Sequence, residues 1–187
     1  MQNQFLLQYL QKLKISSLDR KIPNISEENA EFIKNLIRGR KPKHLLEIGT
    51  ANGYSTLQFS SVLDKNSTIT TIEYAWNTHI EAVEHFKNCK CKNIYALWWD
   101  AKNVLPILQD EYFDFIFIDA MKREYLQYLL LALPKMTPDA LIVIDDVEKF
   151  RDKMENLYTY LEEREIPYQI EKTDTDDSIM IIERNHF

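Results

Sequence analysis

Five short apolar runs, at 44–48, 68–73, 93–97, 113–118 and 141–144, recur along the chain, and stretches with helical spacing lie between them at 55–63, 78–88, 102–109 and 123–133. The apolar runs are mostly continuous Val, Ile, Leu and Phe rather than alternating with polar residues. That pattern predicts strands buried on both faces, with the intervening helices as cover, hence a doubly wound parallel α/β sheet. Two more strand-like runs, at 168–171 and 178–183, follow a long polar helix predicted over 148–165. They flank an acidic turn at 173–177 and read as a terminal antiparallel hairpin, which brings the sheet to seven strands. Two helices precede the first strand, at 4–14 and 27–37. Ser26 is placed to cap the second and Gly39 to stop it. The expectation is one domain over 1–187, with a helical extension at 1–40 and a core at 41–187.

Composition sharpens this picture in three places. At 45% hydrophobic and 28% charged residues, the chain can bury a sizeable core and is not disordered. It has no apolar run of membrane-spanning length and no signal-peptide layout, so a cytoplasmic protein without a membrane partner is expected. Cys89 and Cys91 stand as a lone C-x-C beside lysines, which disfavours zinc and suits a reducing compartment. The net charge of −6 is unevenly spread: residues 1–43 carry nine Lys/Arg against four Asp/Glu. Lys34, Arg38, Arg40, Lys41 and Lys43 are the densest part, suited to a helix C-terminus or to phosphate contact.

Candidate chemistry gathers where predicted strands end. The chain has three glycines, and two of them, Gly49 and Gly53, share the loop after the first strand in Glu47-Ile48-Gly49-Thr50-Ala51-Asn52-Gly53-Tyr54-Ser55. In a parallel sheet, ligands bind beyond the carboxyl ends of the strands, where a bare backbone permits close approach. The spacing is neither the dinucleotide G-x-G-x-x-G nor a P-loop, which disfavours a nicotinamide oxidoreductase. Glu73 ends the second strand, where an acid accepts both hydroxyls of a ribose. Tyr74 offers a flat apolar face, and Asp100, beside Ala101, is either a helix cap or an acceptor for an adenine amine. The fourth and fifth strands end in Asp119 and in Asp145-Asp146. Three carboxylates at one rim suit magnesium, manganese or calcium, with solvated cap aspartates as the plainer reading. Lys122 follows Asp119 by three residues and is a plausible base if a cation lowers its pKa. The four histidines form no ligand spacing, and the helical tyrosines read as packing residues, with Tyr125 the one candidate site wall.

Taken together, the glycine loop, Glu73, Asp100-Ala101, Phe-Ile-Asp119-x-x-Lys122-x-x-Tyr125 and Leu-Ile-Val-Ile-Asp145 resemble the class I S-adenosylmethionine methyltransferases. More narrowly they are similar to the cation-dependent O-methyltransferases, which include catechol and caffeoyl-CoA methyltransferases and bacterial relatives acting on hydroxyuridine in tRNA. The resemblance implies a Rossmann-like methyltransferase fold and S-adenosylmethionine as cofactor. Glu47, Gly49, Gly53 and Ser55 would hold its methionine part, Glu73 its ribose, and Tyr74, Asp100 and Ala101 its adenine, with Asp119 also beside the cofactor. It further implies Mg2+ or Mn2+ on Asp119, Asp145 and Asp146, with Lys122 as the catalytic lysine.

Two departures from the family pattern matter. Asp145-Asp146 stands where Asp-Asn is usual, and residues 147–150 run straight into the predicted helix, without the family's substrate lid. The expected activity is methyl transfer to a metal-bound hydroxyl of a small aromatic or of a hydroxylated tRNA nucleoside. The open site and the basic extension favour RNA. The alternative is a non-catalytic S-adenosylmethionine- or RNA-binding protein on the same fold. A homodimer is allowed.

Overall fold

The computed structural model describes residues 2–173, 175 and 178–187. The predicted acidic turn is therefore described at Thr173 and Thr175, while Asp174, Asp176 and Asp177 lie outside the described residues. Seven strands form one sheet in the order β3-β2-β1-β4-β5-β7-β6. They are β1 His44–Ile48, β2 Thr68–Glu73, β3 Ile94–Trp98, β4 Phe113–Ile118, β5 Met136–Ile144, β6 Gln169–Glu171 and β7 Ile179–Glu183. Strands β1 to β5 pair in parallel, while β7 runs antiparallel to both β5 and β6. The sheet is thus mixed, with the expected C-terminal hairpin. Chain order reverses between β1 and β4, so the crevice beyond their carboxyl ends is where a ligand binds in this architecture.

The strand sequences explain the two-sided core. Along β1, β4 and β5, Leu46, Ile48, Ile116, Ile118, Ile142 and Ile144 face one layer, while Leu45, Phe115, Phe117, Leu141 and Val143 face the other. This is the two-residue alternation of a pleated strand with both faces apolar. On the first side pack helices α5 Ala101–Val104, α6 Tyr125–Ala132 and α7 Glu155–Glu163. On the second pack α1 Gln2–Asp19, α2 Glu27–Arg40, α3 Tyr54–Ser60 and α4 Trp76–Asn88.

Several elements differ from the sequence reading for visible reasons. Helix α1 continues past residue 14 because its buried stripe Leu6, Leu10, Leu13 continues into Ser17. Ser26 caps α2 by accepting from the Asn29 N–H at 3.0 Å. Gly39 does not stop that helix; Lys41 does, in a left-handed conformation with its N–H on the Ile37 carbonyl. The helix predicted over 102–109 gives way to a 3-10 turn at Leu105–Ile107, which contains Pro106. Strand β5 begins earlier than residue 141, at Met136, with its register against β4 shifting between Phe113 and Phe115.

The helix predicted over 148–165 begins only at Glu155, after a 3-10 turn at Arg151–Lys153. Just before residue 148, Val147 is tied to other elements. The Val147 N–H bonds the Ser178 carbonyl at 3.2 Å, and the Tyr158 hydroxyl donates to the Val147 carbonyl at 2.9 Å. Residues 147–154 form a short loop. Among the described residues no helix is long and apolar enough to cross a membrane.

Candidate active site

Each rim residue is held by extension of the sheet ladder beyond the strand ends. The Gly49 N–H bonds the Ile72 carbonyl at 3.0 Å, Asp119 bonds Ile48 at 2.9 Å, Asp145 bonds Ile118 at 3.0 Å, and Trp99 bonds Glu73 at 3.0 Å. The glycine loop is shaped by contacts distant in sequence. Gly49 has φ +104°, and a Cβ there would lie 1.9 Å from the Asp119 carbonyl oxygen; at Gly53, φ +85°, it would lie 2.6 Å from the Phe86 ring. Both glycines therefore let the loop pack against the protein itself, which is a different duty from opening the backbone to a ligand.

Glu47 lies beneath that loop, fully buried. Ser55 Oγ donates to its Oε1 at 2.6 Å, Thr71 Oγ1 donates to its Oε2 at 2.6 Å, and Thr56 donates to Oε2 as well. Burial pushes its pKa up to about 7, against the pull of the three hydroxyls and with a further push from Asp119. In this arrangement Glu47 and Ser55 tie β1, β2 and the start of α3 together, and the Ser55 proton is committed to Glu47.

The end of β2 and β3 forms a cavity of about 520 Å3 lined by Glu73, Tyr74, Trp99, Asp100, Ala101 and Tyr128, among others. Glu73 accepts from the Ala51 N–H at 2.9 Å and the Ala75 N–H at 2.8 Å. Burial raises its pKa, and these backbone bonds oppose the rise. Tyr74 is 73% exposed, a ring face open to cover. Trp99 lines the cavity, while Trp98 packs against Trp76, with ring centroids 4.5 Å apart. Asp100 caps α5, accepting from the Lys102 N–H at 2.9 Å. Lys102 Nζ lies 3.6 Å from Asp100 and 2.7 Å from Glu124, and the Tyr128 hydroxyl donates to Glu124 at 2.7 Å. Tyr128 is thus a cavity residue and not merely packing. Lys102, Glu124 and Tyr128 build a wall that the strand-end motifs did not mark.

At the end of β4 and β5 the carboxylates close on a lysine. Lys122 Nζ donates to Asp119 Oδ1 at 2.7 Å and to Tyr125 Oη at 2.7 Å, and lies 2.6 Å from Asp146 Oδ2. Burial works against its charge, but Asp119 and Asp146 outweigh it and hold the pKa above the usual lysine range. In this state the ammonium is a donor; the lowered pKa is expected only with a cation beside it. Tyr125 is fully buried and serves as the lysine's acceptor, not as a wall. Asp145 lies 3% exposed and accepts from Asn29 Nδ2 at 2.8 Å. Burial, then Asp119 and Asp146, push the Asp145 pKa well up.

Three hard oxygen donors of this kind suit a divalent cation in chemistry, and an ammonium already stands between two of them. As placed, however, no three such side chains among the described residues converge on one point. Lys122 bridges Asp119 and Asp146, and Asn29 engages Asp145 beside them. The Phe150 ring lies 5.8 Å from Lys122 Nζ, so the loop at 147–154 supplies a short wall where none was expected.

The basic stretch of the extension does not join this site. Lys34 and Arg38 pair with Glu31 at 2.6 and 2.8 Å, Arg40 pairs with Glu183, and the Lys43 N–H bonds Asp114 at 2.8 Å. The Arg40 and Lys43 contacts sit at the opposite end of the sheet from the rim, roughly 16 Å away along a five-residue strand, while the Lys34 and Arg38 pairs with Glu31 lie along α2 between the two ends. The extension reaches the rim through uncharged residues, Asn29 at Asp145 and Ser17 Oγ at Asn52 Nδ2, 2.7 Å. Buried Cys89 and half-buried Cys91 are free thiols remote from this site, and burial pushes Cys89 up to about 11.

Residues 1–156 match the model of a family described as O-methyltransferase. The chain belongs to the O-methyltransferase family. Among its relatives, a catechol O-methyltransferase of Niastella koreensis is 33% identical over 128 residues, which is 66% of this chain and 58% of that protein. A catechol O-methyltransferase of Mycobacterium tuberculosis is 27% identical over 124 residues, covering 66% and 56%. The chain thus spans little more than half the length of these curated relatives. In fold it resembles an SAH-bound Podospora anserina methyltransferase, with TM-score 0.83, 22% identity and 95% and 87% of the two chains covered. The O-methyltransferase from Bacillus cereus in complex with SAH gives TM-score 0.79 and 20% identity, covering 94% and 90%. The Rossmann-like methyltransferase fold follows.

Proposed function

We propose that this O-methyltransferase family member transfers the methyl group of S-adenosylmethionine to a hydroxyl of a small catechol-like aromatic, with Mg2+ or Mn2+ held by Asp119, Asp145 and Asp146. The observation that carries the reading is the juxtaposition, along one rim, of an acid-and-aromatic cavity with a buried Asp-Lys-Asp cluster. When bound, the cofactor supplies an activated methyl group and the cation supplies positive charge beside the acceptor oxygen. The chain's own residues do the rest. Glu73 accepts from ribose hydroxyls, Tyr74 and Trp99 flank the adenine, and Ala101 and Asp100 border its edge. Gly49, Gly53, Glu47 and Ser55 keep the loop in shape beside the methionine part. Lys122 is the group placed to exchange a proton with the acceptor. Asp119 and Asp146 hold it as an ammonium, so compensating their charge favours the neutral amine that can take the hydroxyl proton.

The catechol O-methyltransferases among the relatives support a small aromatic acceptor, and the Phe150 wall supports it further. A tRNA nucleoside loses support, because Lys34, Arg38 and Arg40 pair internally and the stretch runs along α2 away from the rim. The intact Lys122 cluster speaks against a purely binding role. Transfer from labelled cofactor to a catechol panel and to bulk tRNA tests the reading. Catechol labelling is expected. Labelling of tRNA alone would move the acceptor to RNA, and labelling of neither would overturn the activity.

A further inference from the structure

Asn29 is an oddity in its own helix. It lies 3% exposed on the face of α2 that also buries Ala30, Ile33 and Ile37, and a polar amide in an apolar stripe must be satisfied where it stands. It is satisfied at both ends. Nδ2 donates to Asp145 Oδ1 at 2.8 Å, and Oδ1 accepts from the Thr173 hydroxyl. The two partners fix which way the amide faces, since the hydroxyl of Thr173 donates to its oxygen and leaves the NH2 for the carboxylate. The N-terminal extension, the end of β5 and the segment after β6 meet at this one side chain.

We infer that Asn29 is a positioning residue for the cation site, an assignment that rests on the proposed reading of Asp145 as a ligand. By engaging Oδ1 of Asp145, alongside the Asp146 backbone N–H on the same carboxylate, Asn29 fixes the rotation in which the carboxylate would meet a cation. It also supplies a neutral donor rather than another charge, which matters beside Asp119 and Asp146. Groups that orient a ligand in this way govern metal affinity although they never touch the metal. Thr173 acts one step further out, by holding the amide.

The test is direct Mn2+ binding, read by paramagnetic resonance of the free ion without acceptor present. Wild type, Asn29→Ala, Thr173→Val and Ala30→Gly are compared, with calorimetric cofactor binding and melting temperature measured alongside. Ala30→Gly loosens the same buried helix face without touching Asp145. Asn29→Ala is expected to weaken Mn2+ binding by about 10-fold or more, with cofactor affinity unchanged. Thr173→Val is expected to weaken it less, in the same direction, and gives the answer if Asn29→Ala fails to fold. Ala30→Gly is expected to lower the melting temperature and leave Mn2+ affinity alone. Unchanged or tighter Mn2+ binding in both Asn29→Ala and Thr173→Val, or an equal loss in Ala30→Gly, overturns the inference. Absence of Mn2+ binding by wild type overturns the cation reading itself, and the inference with it.

Discussion

At the β2–β3 end of the rim, Glu73 meets neutral partners, the backbone N–H groups of Ala51 and Ala75, and its neighbours form an open cavity with an exposed tyrosine ring. At the β4–β5 end, Asp119 and Asp146 meet a charge, the ammonium of Lys122, which also lies 5.8 Å from the Phe150 ring. The first half is shaped by backbone contacts around an open cavity. The second is balanced by its own cation, so anything cationic that enters must compete with Lys122. One sheet edge therefore carries an open cavity and a buried Asp-Lys-Asp cluster side by side, and the two should respond to different perturbations.

The largest effect is expected from Lys122→Met. Removing the amine takes away the proton-exchanging group and leaves two carboxylates facing each other, so turnover should fall by about 10²–10⁴-fold. Calorimetric affinity for the cofactor should stay within a few-fold of wild type. A matched loss of cofactor binding would join the two halves into one unit.

Next in size is a pH effect from Glu47, which underlies the first half yet feels Asp119. Its pKa is about 7 in the folded chain against 4.5 as an ordinary glutamate. Between these values the folded state keeps a proton that the unfolded state has lost, so stability falls as pH rises from about 4.5 to about 7 and levels off above. The drop amounts to about 3 kcal/mol. Chemical denaturation across this window should show that slope in wild type and a flatter one in Glu47→Gln. Parallel slopes would mean Glu47 is already ionised when folded.

Glu73→Ala probes the first half alone. Losing the ribose acceptor should weaken cofactor binding by about 1–3 kcal/mol, with Mn2+ affinity unmoved. Equal cofactor binding by wild type and variant would remove the ribose role.

How far these halves were legible in the sequence depended on the range of the contacts that make them. Strands β1, β2 and β4 have their predicted bounds, because each is an apolar run with a clear stop. Glu73, Asp119 and Asp145 were readable as strand-end acids for the same reason. Gly49 was readable as special, but its cause, the Asp119 carbonyl, is a contact between strands and leaves no local pattern. Asn29 and Asp145 are 116 residues apart, and the one local hint was an amide within an apolar helical stripe. The segment at 147–154 has helix-compatible composition, and the Tyr158 hydroxyl on the Val147 carbonyl, which ties its start, leaves no local pattern. Charge counting found the basic stretch but not which way α2 carries it. Only the direction of that helix takes it away from the rim.

The most direct measurement of the division between the two halves uses one preparation of the wild-type chain. Methyl transfer to a catechol and calorimetric binding of S-adenosylmethionine are recorded before and after chelation, then after Mg2+ is restored. The expected result is turnover abolished by the chelator and recovered with Mg2+, while cofactor affinity holds throughout. Full turnover in excess chelator would contradict the cation reading of Asp119, Asp145 and Asp146, and joint loss of turnover and cofactor binding would contradict the separation of the halves.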